Sequence, residues 1–394
     1  MKRSWRLLLA LLASFALMAA ACGSSDSDGA TEAGADTEET DTTEAEAEET
    51  TDDTEAEAEE SDGEMEDMED MAGDFNVGLT YDIGGRGDQS FNDSAAAGID
   101  AAASELGITF SEAEPNEDGS NRAELLQTQA DVSALVIGVG FLFAGDVTTV
   151  AAENPDVNFA VVDDAMLDFN NGAVPLGDNI AGLTFAEEQG SFLVGAAAAL
   201  KSETNTIGFI GGVGGFGLIE KFEAGFIAGA QAVNPDIEVI SQYITMAPDF
   251  DGFTAPDRAK DIALSMYDAG ADIIYHAAGG SGAGLFEAAA EVSTDDAKVW
   301  AIGVDSDQYL TADPGVQEFI LTSMLKRVDT AVLEITRAQA AGTFTAGNTV
   351  YDLSVDGVGY STSGGYLDDI VDQLEEFKAQ IIDGTIVVPT TPEG

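Results

Sequence analysis

The chain has 394 residues, of which 74 are Asp or Glu and 14 are Lys or Arg, and its formal net charge is −60 at pH 7. A surface of this sign repels nucleic acid and anionic lipid, so the charge argues against binding to either. One histidine and one cysteine cannot readily build a histidine-based triad, a zinc site or an internal disulfide.

The first 21 residues have the pattern of an export signal. Lys2, Arg3 and Arg6 precede an apolar run at 7–21, which is too short to be a good transmembrane helix. Cys22 follows immediately and resembles the lipidated cysteine of a bacterial lipobox, although Ala19 stands where that motif usually has Leu. We expect Cys22 to carry a lipid anchor that holds the chain on the outer face of the cell membrane. The alternative is a secreted protein with an incidental cysteine.

Residues 22–74 contain this cysteine and an acidic linker. The linker, 23–74, holds 24 Asp or Glu and no Lys or Arg. Such a segment buries too little apolar surface to offset its ordering entropy, so we predict a disordered tether. The body, residues 75–394, is longer than a domain with a single hydrophobic core usually is, so its length predicts two domains.

Strand and helix patterns alternate twice along the body. The first series comprises strands at 75–81, 108–111, 134–139 and 158–163, with helices at 94–106, 122–130 and 145–152. After a long helix at 185–200, a second series comprises strands at 206–210, 238–243, 272–276 and 298–304, with helices at 218–233, 256–269 and 284–292. This alternation predicts an α/β protein with two doubly wound parallel-sheet lobes and a cleft between them. We assign 75–183 to lobe 1, joined by about 304–328, and 184–303 to lobe 2, joined by about 329–388.

The loop at 81–92, between the first strand and helix, is richer than a plain connection. Its three glycines permit unusual backbone angles, Asp82 offers a carboxylate and Phe91 an aromatic face. We expect Asp88 and Asn92 to hold the loop and cap the helix. The loop is either a solvated turn with Phe91 packed into the core, or part of a ligand site. Because ligands bind at the carboxyl ends of strands in open α/β sheets, the second interpretation is favoured.

Two enzyme classes, a dinucleotide-dependent dehydrogenase and a hydrolase, fit the sequence less well than a binding protein does. Residues 212–217 fit Gly-x-Gly-x-x-Gly, but the following strand lacks the terminal acid that would hold a ribose of a dinucleotide. Residues 279–283 miss the last position of a hydrolase nucleophile elbow, and His276 precedes Ser281 where that fold expects it far downstream. We therefore predict a protein without catalytic activity or cofactor, in which His276 is a satisfied residue at a strand end.

Five segments in order carry a family resemblance: Asp-Gln-Ser-Phe-Asn at 88–92, Gly-Phe-Ile-Gly-Gly at 208–212, Phe-Glu-Ala-Gly-Phe at 222–226, Gly-Val-Asp-Ser-Asp-Gln at 303–308 and Thr-Ser-Met-Leu-Lys at 322–326. Together they resemble the basic membrane protein family of lipoproteins, the nucleoside-binding components of ABC transporters. The resemblance implies the type I periplasmic-binding-protein fold, capture of a nucleoside with purine favoured, and partnership with permease subunits.

The resemblance also implies the ligand contacts. It places Phe91 and Phe253 on the faces of the base, Asp82 and Asp163 at its polar edge, and Asp305 and Lys326 on the ribose hydroxyls. Two alternatives stay open, because Phe250 competes with Phe253 and Asp164 competes with Asp163. A sugar is the alternative ligand, since aromatic faces and carboxylates also hold pyranoses. A membrane-bound sensor or adhesin is the alternative function.

Overall fold

The computed structural model describes residues 75–294 and 296–392. The export signal, Cys22 and the acidic linker therefore lie outside the described residues. Within those ranges, no helix combines the length and the apolar character needed to span a membrane.

The described chain alternates strands and helices. The strands are β1 (Asn76–Thr80), β2 (Thr109–Ala113), β3 (Leu135–Gly138), β4 (Asn158–Val162), β5 (Leu167–Asp168), β6 (Val174–Pro175), β7 (Ile180–Phe185), β8 (Thr206–Gly214), β9 (Glu238–Met246), β10 (Ile273–Ala277), β11 (Trp300–Asp305), β12 (Ile320–Lys326), β13 (Gly347–Tyr351) and β14 (Val358–Tyr360). The helices are α1 (Phe91–Leu106), α2 (Arg122–Ala130), α3 (Ala144–Glu153), α4 (Glu187–Lys201), α5 (Leu218–Val233), α6 (Pro256–Asp268), α7 (Gly282–Val292), α8 (Gln308–Thr311), α9 (Val328–Ala340) and α10 (Val371–Ile382).

Twelve of these strands form two six-stranded sheets, and β5 pairs with β6 in a small hairpin. The first sheet has the order β13-β7-β4-β3-β1-β2, and all its pairs are parallel. The second has the order β14-β12-β11-β10-β8-β9, in which only β14 is antiparallel. We call each sheet with its helices a lobe. The predicted α/β fold of two doubly wound lobes is confirmed.

Each sheet has central strands made of continuous apolar residues. In β3, Leu135, Val136 and Ile137 are fully buried, as are Ile273, Ile274 and Tyr275 in β10. A strand that is apolar on both faces is stable only when helices cover both faces, which is the arrangement seen here. Successive strands on either side of β1 and of β8 lead the chain outward in opposite directions. The carboxyl ends of both sheets are therefore the expected ligand positions.

The lobe boundaries differ from those expected. The segment 304–328 was assigned to the first lobe, but β12 pairs with β11 in the second sheet. The segment 329–388 was assigned to the second lobe, but β13 pairs with β7 in the first sheet. Helix α9 also packs on α1, where a Cβ added to Gly98 would lie 2.4 Å from the Asp329 carbonyl oxygen. The chain crosses between lobes three times, because these later segments complete open sheet edges that the earlier ones leave.

Candidate functional site

A cavity of about 430 Å³ lies at the carboxyl ends of the two sheets. This volume is within the usual range of small-ligand pockets, roughly 300 to 1,000 Å³. Residues of both lobes line it, and they include all six side chains singled out from the sequence: Asp82, Phe91, Asp163, Phe253, Asp305 and Lys326. The structure thus brings together residues that are up to 244 positions apart in the sequence. Their individual roles toward a ligand remain predictions.

The loop between β1 and α1 is held by its own carboxylates. Asp88 accepts hydrogen bonds from the backbone N–H groups of Ser90 at 2.9 Å, Asn92 at 2.9 Å and Asp93 at 3.1 Å. The Asn92 side chain in turn accepts from the N–H of Asp82 at 3.0 Å. These bonds confirm the prediction that Asp88 and Asn92 hold the loop. Asp88 also caps α1 by accepting from donors in its first turn, whereas Asn92 lies inside the helix and does not cap it. Phe91 begins α1 at the cavity wall.

Hydrogen bonds of Ser90, Ser306 and Gln308 tie this loop to the second lobe. The Ser90 hydroxyl donates to Asp305 Oδ2 at 2.6 Å, and the Ser306 hydroxyl donates to the Ser90 carbonyl at 2.9 Å. Gln308 Nε2 donates to the Gln89 carbonyl at 3.0 Å. The two lobes are therefore in contact on one side of the cavity.

Lys326, at the end of β12, is the cation of the cavity wall and only 2% exposed. Its ammonium donates to Asp163 Oδ2 at 2.6 Å. The ammonium also lies 4.8 Å from the ring centre of Phe91, 5.1 Å from that of Phe185 and 5.7 Å from that of Phe222. Aromatic faces attract a cation at such distances. The hydrogen bond to Asp163 joins the second lobe to the first.

Asp163 follows β4 in a left-handed backbone conformation, with φ +70°. Its Oδ2 is bonded to Lys326, whereas Oδ1 is buried without a hydrogen-bond partner among the described residues. A buried acceptor without a partner is costly, so this oxygen is available to a donor on a ligand. Asp164 is different, because its Oδ1 accepts from the N–H of Met166 at 2.7 Å and it does not line the cavity.

Burial changes the acidity of two cavity carboxylates. Desolvation raises the pKa of Asp82 to about 6, against the lowering effects of the Ile83 N–H bond and of Arg122, whose Nη2 lies 3.7 Å from Oδ1. Desolvation likewise raises the pKa of Asp305 to about 6, against the lowering effects of Lys326 and of the Ser90 hydrogen bond. Both groups are ionised acceptors at neutral pH and lose charge in mild acid.

Phe250 and Phe253 both line the cavity, but their surroundings differ. The Phe250 ring centre lies 5.8 Å from that of Phe141 and 5.9 Å from that of Phe216, and Phe141 stacks on Phe216 at 4.7 Å. These three rings, which we call the aromatic cluster, join the first lobe at Phe141 to the second. The Phe253 ring instead packs over Gly212, where an added Cβ would lie 2.6 Å from it.

The glycine-rich segment at 212–217 is explained by this packing. Gly212 and Gly214 continue β8 and lie within its pairing with β9. They are therefore strand residues, whereas a dinucleotide fingerprint needs a turn at that point. Bulk at Gly212 would displace Phe253, so this glycine makes room for a cavity side chain.

Ser281 is occupied by structural contacts and His276 is only partly so, because its Nδ1 is buried without a hydrogen-bond partner among the described residues and the expected satisfied residue is not seen. His276 is fully buried, its Nε2 lies 3.0 Å from Gln308 Oε1, and burial lowers its pKa to about 4. Ser281 donates to the Gly252 carbonyl at 2.8 Å and accepts from the Ala255 N–H at 2.7 Å. The two side chains do not form a nucleophile and base pair in this structure.

Sequence reasoning missed Glu187, Ser90 and Gln308. Glu187 lies next to Lys326 and is 1% exposed. It follows β7, a strand that the sequence analysis did not predict, because the helix was expected to begin at 185 and no element was assigned before it. Recognition of β7 would have marked Glu187 as a strand-end residue. Ser90 and Gln308 act across the cleft, and no local pattern in the sequence indicates such contacts.

Comparisons with known proteins agree with this geometry. The family model for PnrA-like substrate-binding proteins of ABC transporters matches residues 75–392. A CD4+ T-cell-stimulating antigen of Listeria monocytogenes is 37% identical over 341 residues, which cover 81% of this chain and 89% of the antigen. The ABC transporter nucleoside-binding protein BmpA of Lactococcus lactis subsp. cremoris is 33% identical over 332 residues, which cover 80% of this chain and 90% of that protein.

Solved structures show the same architecture. An ABC transporter solute-binding protein from Aeropyrum pernix K1 superposes with a TM-score of 0.68 at 27% identity, covering 80% of this chain and 93% of that one. A solute-binding protein from Conexibacter woesei superposes with a TM-score of 0.62 at 21% identity, covering 80% and 100%, and shows similarity of fold.

Proposed function

The chain belongs to the PnrA-like family of ABC transporter substrate-binding proteins, and from this premise we propose that it captures a nucleoside outside the cytoplasm and delivers it to a transporter permease. Its family and structural neighbours are substrate-binding proteins and not enzymes. The proposed mechanism is therefore capture: the lobes open, a nucleoside enters, and the lobes close around it.

The composition of the cavity wall is the observation that carries the proposal. Two phenylalanines, Phe91 and Phe253, offer apolar faces on which a flat base can stack, worth about 0.5 to 1.5 kcal/mol for each aromatic pair beyond burial. Asp82, Asp163 and Asp305 offer acceptors for N–H and ribose O–H donors. The relative from Lactococcus lactis, named as a nucleoside-binding protein, supports the same ligand class.

The charge of the cavity favours a neutral nucleoside over a nucleotide. Besides the three carboxylates, Asp88, Glu287 and Asp313 line the same cavity, and Lys326 already pairs with Asp163. A phosphate would therefore meet an excess of negative charge in a partly desolvated space, where repulsion is weakly screened. We favour a purine, because its larger ring system covers more of an aromatic face.

A lipid on Cys22 and the acidic linker would complete the assembly. The lipid would hold the protein at the outer face of the membrane, and the linker would let the two lobes reach the permease. Growth in labelled palmitate followed by mass analysis tests the anchor, since the Cys22→Ser variant should take up no label. Label retained by that variant would place the lipid elsewhere.

A thermal-shift panel tests the ligand class. Nucleosides, nucleoside monophosphates, free bases and sugars are added to the full chain, purified in detergent. A ligand at a hundred times its Kd should stabilise the folded protein by about 2.7 kcal/mol. Purine nucleosides are expected to raise Tm, and nucleoside monophosphates are expected to raise it less. A response to sugars but not to nucleosides would replace the nucleoside by the sugar alternative. A response to neither would overturn the proposal.

A further inference from the structure

Glu187 is a buried carboxylate directly behind the cavity wall. It does not line the cavity, and its side chain is 1% exposed. Its Oε2 accepts a hydrogen bond from Lys221 Nζ at 3.0 Å, and its Oε1 lies 3.9 Å from Lys326 Nζ. The four charged groups Lys221, Glu187, Lys326 and Asp163 thus alternate in sign along one line of contacts.

Three members of this line belong to the second lobe. Lys326 ends β12, and Lys221 lies on α5, which packs on α4. Glu187 begins α4, which also packs against β12 and β14. Asp163 alone belongs to the first lobe, where it follows β4. When the lobes separate, Asp163 moves away with the first lobe, whereas Glu187 stays beside Lys326.

We propose that Glu187 is a positioning residue of the ligand site: it holds the Lys326 ammonium charged and directed at the cleft, with Lys221 as its own counterion. This inference rests on the proposed function, because it assigns Glu187 a role in nucleoside binding without ligand contact. The physical reason is the burial of Lys326. A buried cation is stable only with a partner, and Glu187 is the carboxylate that remains paired with it when the cleft is open.

The charged groups around Lys326 account for the direction in which its pKa is shifted. Burial by itself lowers the pKa of Lys326, but the carboxylates of Asp163, Glu187 and Asp305 outweigh this effect and raise it. Burial raises the pKa of Glu187, while Lys326 and Lys221 act to lower it and Asp163 adds to the rise. Asp305 acts on Lys326 at longer range and is itself bonded to Ser90. Lys326 and Glu187 therefore depend on each other for their charge.

The first experiment is the pH profile of nucleoside affinity in the full chain with Glu187→Gln. Without the Glu187 charge, the pKa of Lys326 falls, so affinity should decrease as pH rises from about 7 to about 9.5, reaching a loss of at least about tenfold. The protein with Glu187 should show no loss of affinity as pH rises over the same range. A purely structural effect of the substitution would weaken binding equally at every pH.

The second experiment reverses the slope. Lys221→Met removes the cation that holds Glu187 ionised, so the pKa of Glu187 rises further. Affinity should then be weakest near pH 7 and recover as pH rises and Glu187 ionises. Lys221 has a side chain that is 31% exposed, so this variant is expected to fold even if Glu187→Gln does not. Glu187→Asp should restore part of the affinity lost in Glu187→Gln.

Glu334→Gln is the matched control, because Glu334 is a half-exposed carboxylate paired with Arg337 on α9 and away from the cavity. It should leave the affinity and its pH profile unchanged. Opposite slopes in Glu187→Gln and Lys221→Met support the inference. Flat pH profiles in both variants overturn the inference. If Glu187→Gln fails to fold, a flat profile in Lys221→Met alone overturns it. If the protein with all native residues binds no nucleoside, the proposed function fails instead.

Discussion

Asp305→Asn should make the ligand-free protein more stable at neutral pH while it weakens ligand binding. Asp305 is 6% exposed, and burial raises its pKa from an ordinary value of 3.8 to about 6. A shift of about two units corresponds to about 3 kcal/mol of stability that the ionised carboxylate costs the folded state. Asn removes that charge and can still accept the Ser90 hydrogen bond. Asn also tolerates the left-handed backbone at this position, where φ is +64°.

The sign of the pH dependence follows from the raised pKa. The protonated Asp305 is favoured in the folded state, so the native protein gains stability as pH falls through about 6 and the gain is complete near pH 4. The variant lacks this gain. The free energy of unfolding of the two proteins should therefore differ by about 3 kcal/mol at pH 7.5 and converge near pH 4.

Urea unfolding at pH 7.5, 6, 5 and 4, followed by circular dichroism, measures this difference. Asp164→Asn is the matched control, because Asp164 neighbours Asp163 but does not line the cavity. The reasoning fails if Asp305→Asn is less stable than the native protein at pH 7.5, or if the two pH profiles are parallel. Either result would mean that the ionised Asp305 carboxylate does not lower the free energy of unfolding.

Three further predictions concern the ligand. Phe91→Ala should raise the nucleoside Kd about tenfold, because it removes apolar burial and stacking. Calorimetric titration measures this, with Leu310→Ala, a substitution of an exposed residue, as the control. Undiminished affinity would remove Phe91 from the site. Phe216→Ala should speed ligand release by about tenfold in stopped-flow measurements. The substitution breaks the aromatic cluster between the lobes without changing the cavity wall. An unchanged release rate would mean that the cluster does not hold the cleft closed. Nucleoside affinity should fall as pH drops from about 7 to about 5, because Asp82 and Asp305 lose charge near pH 6. A Kd that stays constant in titrations over this range would exclude both carboxylates as ligand acceptors.

Local patterns were enough to predict the two lobes and a cleft at their strand ends, whereas the six residues that line the cavity were assigned through the family resemblance. Apolar strands alternating with helices require coverage on both faces of a sheet, and that requirement is readable without tertiary information. In a doubly wound sheet the carboxyl ends of strands meet at one edge, so residues that follow strands could be assigned to one cleft. The loop with Asp82 and Phe91 was identified for this reason, and its capping by Asp88 follows from local hydrogen bonding alone.

Other features depend on pairings between distant segments. The late strands β12 and β13 exchange lobes relative to the expected assignment, because each sheet is completed by a segment that lies far away in the sequence. Asp163 lines the cavity and Asp164 does not, and Asp164 is instead bonded to the Met166 N–H, which no local pattern distinguishes. Phe250 and Phe253 are equivalent in the sequence, but the contacts of Phe250 with Phe141 and Phe216 separate them.

The amino-acid sequence by itself determined the fold class, the position of the cleft and the chemical kinds of side chain that face it, because these follow from periodicity and from strand ends. Only the tertiary structure decided how the charges are paired. Lys326, Glu187 and Asp163 come from three separate segments, and each is nearly fully buried. The energy of a buried charge depends on the distance to its partner, and that distance exists only after the chain has folded; for Lys326 and Asp163 it requires both lobes.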